Sequence, residues 1–240
     1  MKQCNSLQES RSLGLKIVSN LVLSVLVLSV GALCLAPQSN SVSVDADVEL
    51  YRSSPNPQGV SLMFNVYWGT DEVYDILETL EIHDATATFF IGGCWADDNV
   101  ECLRAIYAAG HEIGNHGYFH KDQNKLDFTQ NRKEIADCNR FIELAIGEKP
   151  TLFAPPSGAY NEHTLSAAKL LSMKTVLWSK DTIDWRDKDE KLIYSRATQG
   201  IKNGDFILMH PMPATANALD DILIYYENNG LKPVSVSANL

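Results

Sequence analysis

From Val60 onward, short apolar runs alternate with amphipathic ones, and this alternation sets the fold class. Val60 to Val66 predicts a buried strand, followed by a helix over 72–81 whose apolar positions recur at helical spacing. A second strand is expected over 86–91, a helix over 103–109 and a short strand over 111–115. A long helix is predicted over 128–146, with Ile135, Phe141, Ile142 and Ala145 on its apolar side. Leu152-Phe153 is a brief strand, 162–171 a helix, 175–178 a strand, 190–200 a helix, 206–209 a strand and 216–228 a helix. Leu231 to Val236 closes the series as a last strand. Alternation of this kind predicts an α/β domain with a parallel sheet and helices outside, as a barrel or an open doubly wound sheet. No Walker loop, G-x-G-x-x-G or G-x-S-x-G follows any of these strands, which disfavours nucleotide binding and serine-hydrolase chemistry.

The residues before Val60 read differently. Lys2, Arg11 and Lys16 precede an apolar run from Ile17 to Ala36, about the length that crosses a bilayer. Asp45, Asp47 and Glu49 follow it, so the positive-inside rule puts the C-terminal bulk outside the membrane. The expectation is a single-pass signal anchor over 1–36 with an extracytoplasmic domain, the alternative being secretion after signal cleavage. Residues 37–59 are rich in Ser, Asn and Pro and are expected to be a linker, leaving 60–240 as one domain. A net charge of −10 argues against nucleic acid as a partner. The five cysteines form no C-x-x-C pair, so neither a cysteine zinc site nor a redox motif is expected. Cys94 and Cys102 bracket a short loop and could pair if the domain is exported, but two separate thiols is the simpler reading.

In either parallel architecture, chemistry gathers where the strands end. Those ends carry Asn65-Val66-Tyr67-Trp68-Gly69, then His116 through His120, Phe153-Ala154-Pro155-Pro156-Ser157-Gly158-Ala159-Tyr160, Asp181 through Trp185, and His210-Pro211-Met212-Pro213. His116 and His120 stand at i and i+4, a spacing that can grip one borderline metal ion. The segment is not the helical H-E-x-x-H of zinc proteases, because Asn115 stands where the second histidine belongs and Gly114 and Gly117 weaken a helix.

In order and spacing, these segments resemble the polysaccharide deacetylases, the NodB-homology domain of carbohydrate esterase family four. The resemblance rests on Ala85-Thr-Ala-Thr-Phe-Phe90, Ala109-Gly-His-Glu-Ile-Gly-Asn-His116 and Asp181-Thr-Ile-Asp-Trp-Arg186, and it runs from Ser61 to Leu240. The Asn-x-x-Trp-Gly and Ala-Pro-Pro-Ser-Gly variants resemble a sporulation-associated branch. The resemblance implies an irregular (β/α) barrel of about seven parallel strands. It also implies metal-dependent de-N-acetylation of a cell-wall or related polysaccharide, a peptidoglycan or chitin-like glycan, with zinc as the expected divalent metal. By the same resemblance His116 and His120 are metal ligands, and the backbone N–H at Tyr160 is an oxyanion donor. His210 is the general acid, and Asp181 the carboxylate that orients it. Trp68, Trp185, Tyr67 and Tyr160 offer stacking faces for a sugar.

Three positions depart from the family pattern. Asn65 stands where the base aspartate belongs, Val66 replaces the aspartate that ligates metal, and Ala154 replaces the arginine that pairs with the base. An amide does not accept a proton near neutral pH, and losing a general base costs about 10²–10⁴ in rate. Two readings follow. The first is a metal-dependent deacetylase that draws its third ligand from the Asn65 carbonyl, Asp71 or Glu72. The second is a catalytically silent glycan-binding or scaffold protein that keeps the groove. Other polar residues carry structural expectations. His83 reads as a helix-end cap, His163 as solvated and Asp97-Asp98 as a helix start. The charge run Asp187 to Lys191 reads as an exposed helix start, and Asp184 as a carboxylate tied to loop backbone.

Overall fold

A computed structural model describes residues 22, 24–25 and 49–240, so most of the expected anchor and of the linker lies outside the described residues. Among the described residues, no helix is long and apolar enough to cross a membrane. Eight parallel strands form one sheet in the order β1-β6-β5-β4-β3-β2-β8-β7. These are β1 Leu50–Tyr51, β2 Ser61–Val66, β3 Thr88–Ile91, β4 Glu112–Asn115, β5 Leu152–Phe153, β6 Lys174–Val176, β7 Lys180–Asp181 and β8 Phe206–Met209. The helices between them are α1 Thr70–Ile82, α2 Gly93–Asp98, α3 Val100–Ala108, α4 Phe128–Ile146, α5 Glu162–Leu170, α6 Asp184–Asp187, α7 Glu190–Thr198 and α8 Pro213–Asn228. The expected barrel is a half-barrel, with β1 and β7 at the two edges of the sheet.

β2 is buried at all six positions because it lies between two strands and under helices. Phe64 stacks on Phe89 of β3 with ring centroids 5.0 Å apart, inside a cluster that reaches Leu219 and Ile222 of α8. Burying side chains of this size contributes about 1.5–3 kcal/mol each. A smaller cluster around Met63, Phe90, Ala154 and Val176 fills the other side of the sheet. At Gly114 an added Cβ would lie 2.4 Å from the Phe90 ring, so only glycine lets β4 pack there.

α4 runs the full length that periodicity predicts. Asp127 and Gln130 close a capping box at its start, and Gly147 ends it at φ 79°. Three expectations change. Leu231 to Val236 is not a strand: it makes one parallel bridge just before β2, with Val60 N–H donating to the Lys232 carbonyl and Val234 N–H to the Val60 carbonyl, and Val236 N–H then donates to Thr88 Oγ1 instead of to a strand carbonyl. Leu50 and Tyr51, placed in the linker from composition, pair with Thr175 and Val176 and form an edge strand. α2, α6 and β7 were not expected as elements, and Asp97-Asp98, read as a helix start, instead ends α2. Cys94, Cys102 and Cys138 are free thiols, which bears out separate cysteines at positions 94 and 102.

Candidate functional site

The C-terminal ends of β2, β4, β7 and β8 open onto a cavity of about 320 Å³. Asn65, Trp68, His116, His120, Ser157, Trp178, Asp181, Trp185, Leu208 and His210 line it. Seven of these were already singled out in the sequence, and the fold brings them together.

His116 leaves the end of β4 almost fully buried, and its Nδ1 lies 2.7 Å from the Ala154 carbonyl. A carbonyl only accepts, so Nδ1 carries the proton and the Nε2 lone pair is left free. Burial, with the nearby His120 ring adding to it, holds the His116 imidazole down to about 3. His120 is also lowered, chiefly by burial, so both rings are neutral near pH 7. Their centroids are 5.0 Å apart. His120 sits at φ 52°, a left-handed conformation that a non-glycine residue holds only when its surroundings impose it. Asn115 supplies part of that constraint. Its Oδ1 accepts from Gly117 N at 2.7 Å, while its Nδ2 donates to the Ile135 carbonyl and to Asn139 Oδ1 on α4. The Tyr67 ring closes over His120 at 4.6 Å.

The partner of His210 is Asp184 and not Asp181. His210 Nδ1 lies 2.7 Å from Asp184 Oδ1. Asp184 is fully buried and also accepts from His210 N, Trp185 N and Thr215 Oγ1. The reason is local. Ile183 adopts φ 54° and starts α6, which turns Asp184 inward beneath His210. Asp181, at the end of β7, instead lines the cavity and accepts from Ile183 N at 2.8 Å. The expectation that Asp184 holds loop backbone is met, but it holds the imidazole as well. A buried carboxylate with four donors fixes the tautomer and orientation of His210.

Trp68 lies flat on His210, with centroids 5.5 Å apart and planes 8° from parallel, and its indole N–H donates to Met212 Sδ at 3.0 Å. The following Gly69 has φ 78°, and a Cβ there would stand 2.1 Å from the Pro211 carbonyl oxygen. The turn after β2 and the loop after β8 therefore touch, which places Trp68 over the imidazole. Trp185 is half exposed at the same mouth. From the β5 loop it is Ser157, at φ 54°, that reaches the cavity; Tyr160 lies outside its lining. Trp178 also lines the cavity and was not singled out, because it sits where a strand was expected to continue.

The three departures have physical consequences. Val66 and Ala154 are fully buried, one in each core cluster, and neither is among the residues lining the cavity. Asn65 Oδ1 is buried with no hydrogen-bond partner among the described residues. Asp71 and Glu72 stand in the first turn of α1 and do not line the cavity. Among the described residues, no group of three or more His, Cys, Asp and Glu is placed to hold a metal ion. Two neutral imidazoles and one amide oxygen do not fit a catalytic zinc, whose usual set is three protein ligands such as His₃, His₂Glu or Cys₂His.

The polysaccharide deacetylase family model matches residues 52–176. YlxY of Bacillus subtilis is 37% identical over 181 residues, 75% of this chain and 57% of that protein. The peptidoglycan-N-acetylmuramic acid deacetylase PdaC of Bacillus subtilis is 32% identical over 184 residues, 76% of this chain and 39% of its own. This chain thus spans less than two thirds of either relative. Among solved structures, wild-type BA3943 of Bacillus anthracis, described as a CE4 family pseudoenzyme, superposes with a TM-score of 0.77 at 34% identity, covering 81% of this chain and 69% of that one. The chain belongs to the polysaccharide deacetylase family.

Proposed function

We propose that this polysaccharide deacetylase family member binds an acetylated cell-wall glycan in the strand-end cavity without hydrolysing it. The observation that carries this reading is Asn65. Where the base carboxylate would stand there is a buried amide whose oxygen has no hydrogen-bond partner among the described residues. An amide oxygen accepts a hydrogen bond from a sugar hydroxyl or an acetamido N–H, yet takes up no proton near pH 7. A ligand donor on that oxygen would relieve the cost of burying it unpaired, about 1–3 kcal/mol. Trp68 and Trp185 supply apolar faces for the pyranose, and His210 and Asp181 supply polar contacts beside it. The relatives' peptidoglycan substrates and the BA3943 description support the class of ligand and the silent chemistry respectively.

Residual metal-dependent deacetylation is the second reading, and the intact His210–Asp184 pair favours it. That pair can deliver a proton to a leaving amine, but at position 65 an amide stands where the family's base would take one from water. The apolar run at 17–36 and the charges around it support a third element of the proposal, a domain held outside the cell membrane.

Calorimetric titration of the full chain with N-acetylglucosamine oligomers tests the binding reading. Binding weakened about tenfold or more by Trp68→Ala supports it, given that loss of one stacking partner removes on the order of 1.4 kcal/mol. Wild-type protein that takes up no oligomer, with folding confirmed by circular dichroism, would overturn it.

A further inference from the structure

Met212 stands where helix sequences favour another kind of residue. It is the N-cap of α8, at φ −121° and ψ 149°, and its side chain makes no capping bond. Ser, Thr, Asp and Asn lead at such positions because a short side-chain oxygen accepts from the second or third N–H of the helix. A methionine gives that stabilisation up, and burial does not replace it. Met212 is half-buried and belongs to none of the three core clusters among the described residues. Its backbone is held without the side chain. Its N–H donates to the His210 carbonyl at 2.8 Å, and its own carbonyl accepts from Thr215 N and Ala216 N at 3.0 Å. What the side chain contributes is an acceptor: Trp68 Nε1–H donates to Met212 Sδ at 3.0 Å.

A thioether is a weak acceptor, and Trp68 is 39% exposed, so water would serve the same N–H equally well for stability. What water does not supply is a fixed direction. The χ2 torsion of tryptophan is broad and two-fold, so a flip of about 180° keeps the plane of the indole. The stack on His210, at 8° from parallel, depends on that plane and does not by itself choose between the two orientations. The bond to Met212 does choose, because it needs the N–H edge turned toward the start of α8. The other orientation swings the six-membered ring across the wall of the site. Trp68 and His210 line the cavity and Met212 does not, so the sulfur reaches the site only through the indole.

We infer that Met212 is a positioning residue for this site: its sulfur selects one of the two indole orientations of Trp68 and so sets the shape of the cavity wall beside His210, in place of the cap that α8 would otherwise carry. This rests on the glycan-binding reading above and adds which residue outside the cavity holds its tryptophan. A ring fixed before the sugar arrives has less freedom to lose on binding, so the bond acts on affinity while the missing cap acts on stability. A local rule broken at the edge of a binding site, with no gain in packing, is where function and folding part.

The test compares the full-length wild-type chain with Met212→Leu, Met212→Gln and Met212→Ser, measuring both affinity for an N-acetylglucosamine pentamer and thermal midpoint. Leu keeps the bulk without the acceptor, Gln offers an amide oxygen at similar reach, and Ser caps the helix but is too short for the indole. Met212→Leu should bind about three- to tenfold more weakly, the range one hydrogen bond covers, with its midpoint unchanged. Met212→Gln should keep wild-type affinity. Met212→Ser should melt higher, as a restored cap does, and still bind as weakly as Met212→Leu. Affinity and stability then move in opposite directions, which a residue that only supports the fold does not produce. Wild-type affinity in Met212→Leu would overturn the inference and leave the cavity reading standing. Equal losses in Met212→Leu and Met212→Gln would also overturn it, since the acceptor would then not be what matters. A wild type that takes up no pentamer overturns both readings.

Discussion

Asn65 differs from the aspartate expected at its position by the smallest chemical step available. Asparagine and aspartate have nearly the same shape, but only the carboxylate takes a proton from water near neutral pH. The other two changes are larger, because Val66 and Ala154 are built into the two core clusters. Restoring the base, its arginine and the metal ligand together therefore has to re-form a charged set, and Asn65→Asp alone leaves the new charge without partners. The expected outcome for Asn65→Asp/Val66→Asp/Ala154→Arg with added zinc is acetate release at least about 10² above wild type, the lower end of what a general base supplies. Asn65→Asp alone should give far less. Acetate assays on the two variants check this, and equal release from both would show that positions 66 and 154 do not limit the rate. At this scale the sequence was legible wherever a residue type announces its chemistry: His116, His120 and His210 are where the motifs placed them. Asp181 was assigned the role that Asp184 fills, because both stand in the same short segment. Only the left-handed turn at Ile183 decides which of the two faces His210.

Among the elements, α1 and α8 are tied together by a histidine that the sequence suggested was only a cap. His83, just past the end of α1, places Nδ1 2.8 Å from Glu227 and Nε2 2.8 Å from Asp220 on α8. Burial works to lower its pKa, but the hydrogen bonds and charges of the two carboxylates outweigh it, and the net shift is upward. A raised folded pKa means that His83 contributes stability fully below its unfolded value of about 6.5 and loses it as pH rises through the folded value. His111, at the start of β4, has the opposite sign. Burial holds it down to about 4, so its contribution is present above about 6.5 and is lost as pH falls from there through about 4. The wild-type profile mixes these effects, so the difference between wild type and His83→Gln isolates the clasp. That difference in thermal midpoint should be largest near pH 6 and shrink toward about pH 9. A difference that stays constant across this range would mean that the tie does not depend on the charge of His83. Helix positions such as these were readable from periodicity, whereas the pairing of a helix end with a distant helix was not, since the partners lie more than a hundred residues away in sequence.

Over the whole molecule, alternation of buried strands and amphipathic helices was enough to predict a parallel α/β domain, because strands covered on both faces read as continuous apolar runs. What alternation could not supply was closure. The half-barrel leaves β1 and β7 as edges, and each of them is only two residues long. The site inherits its geometry from this arrangement, with Trp68 after β2, the histidine pair after β4, Trp178 after β6, Trp185 after β7 and His210 after β8. The central claim is that such a site still holds glycan but no longer cleaves it. Its most direct test is to follow binding and acetate release in one sample of the full chain with an N-acetylglucosamine pentamer and excess zinc. Bound pentamer with acetate no higher than in His210→Ala is the predicted result. Acetate released by the wild type and abolished in His210→Ala would contradict it.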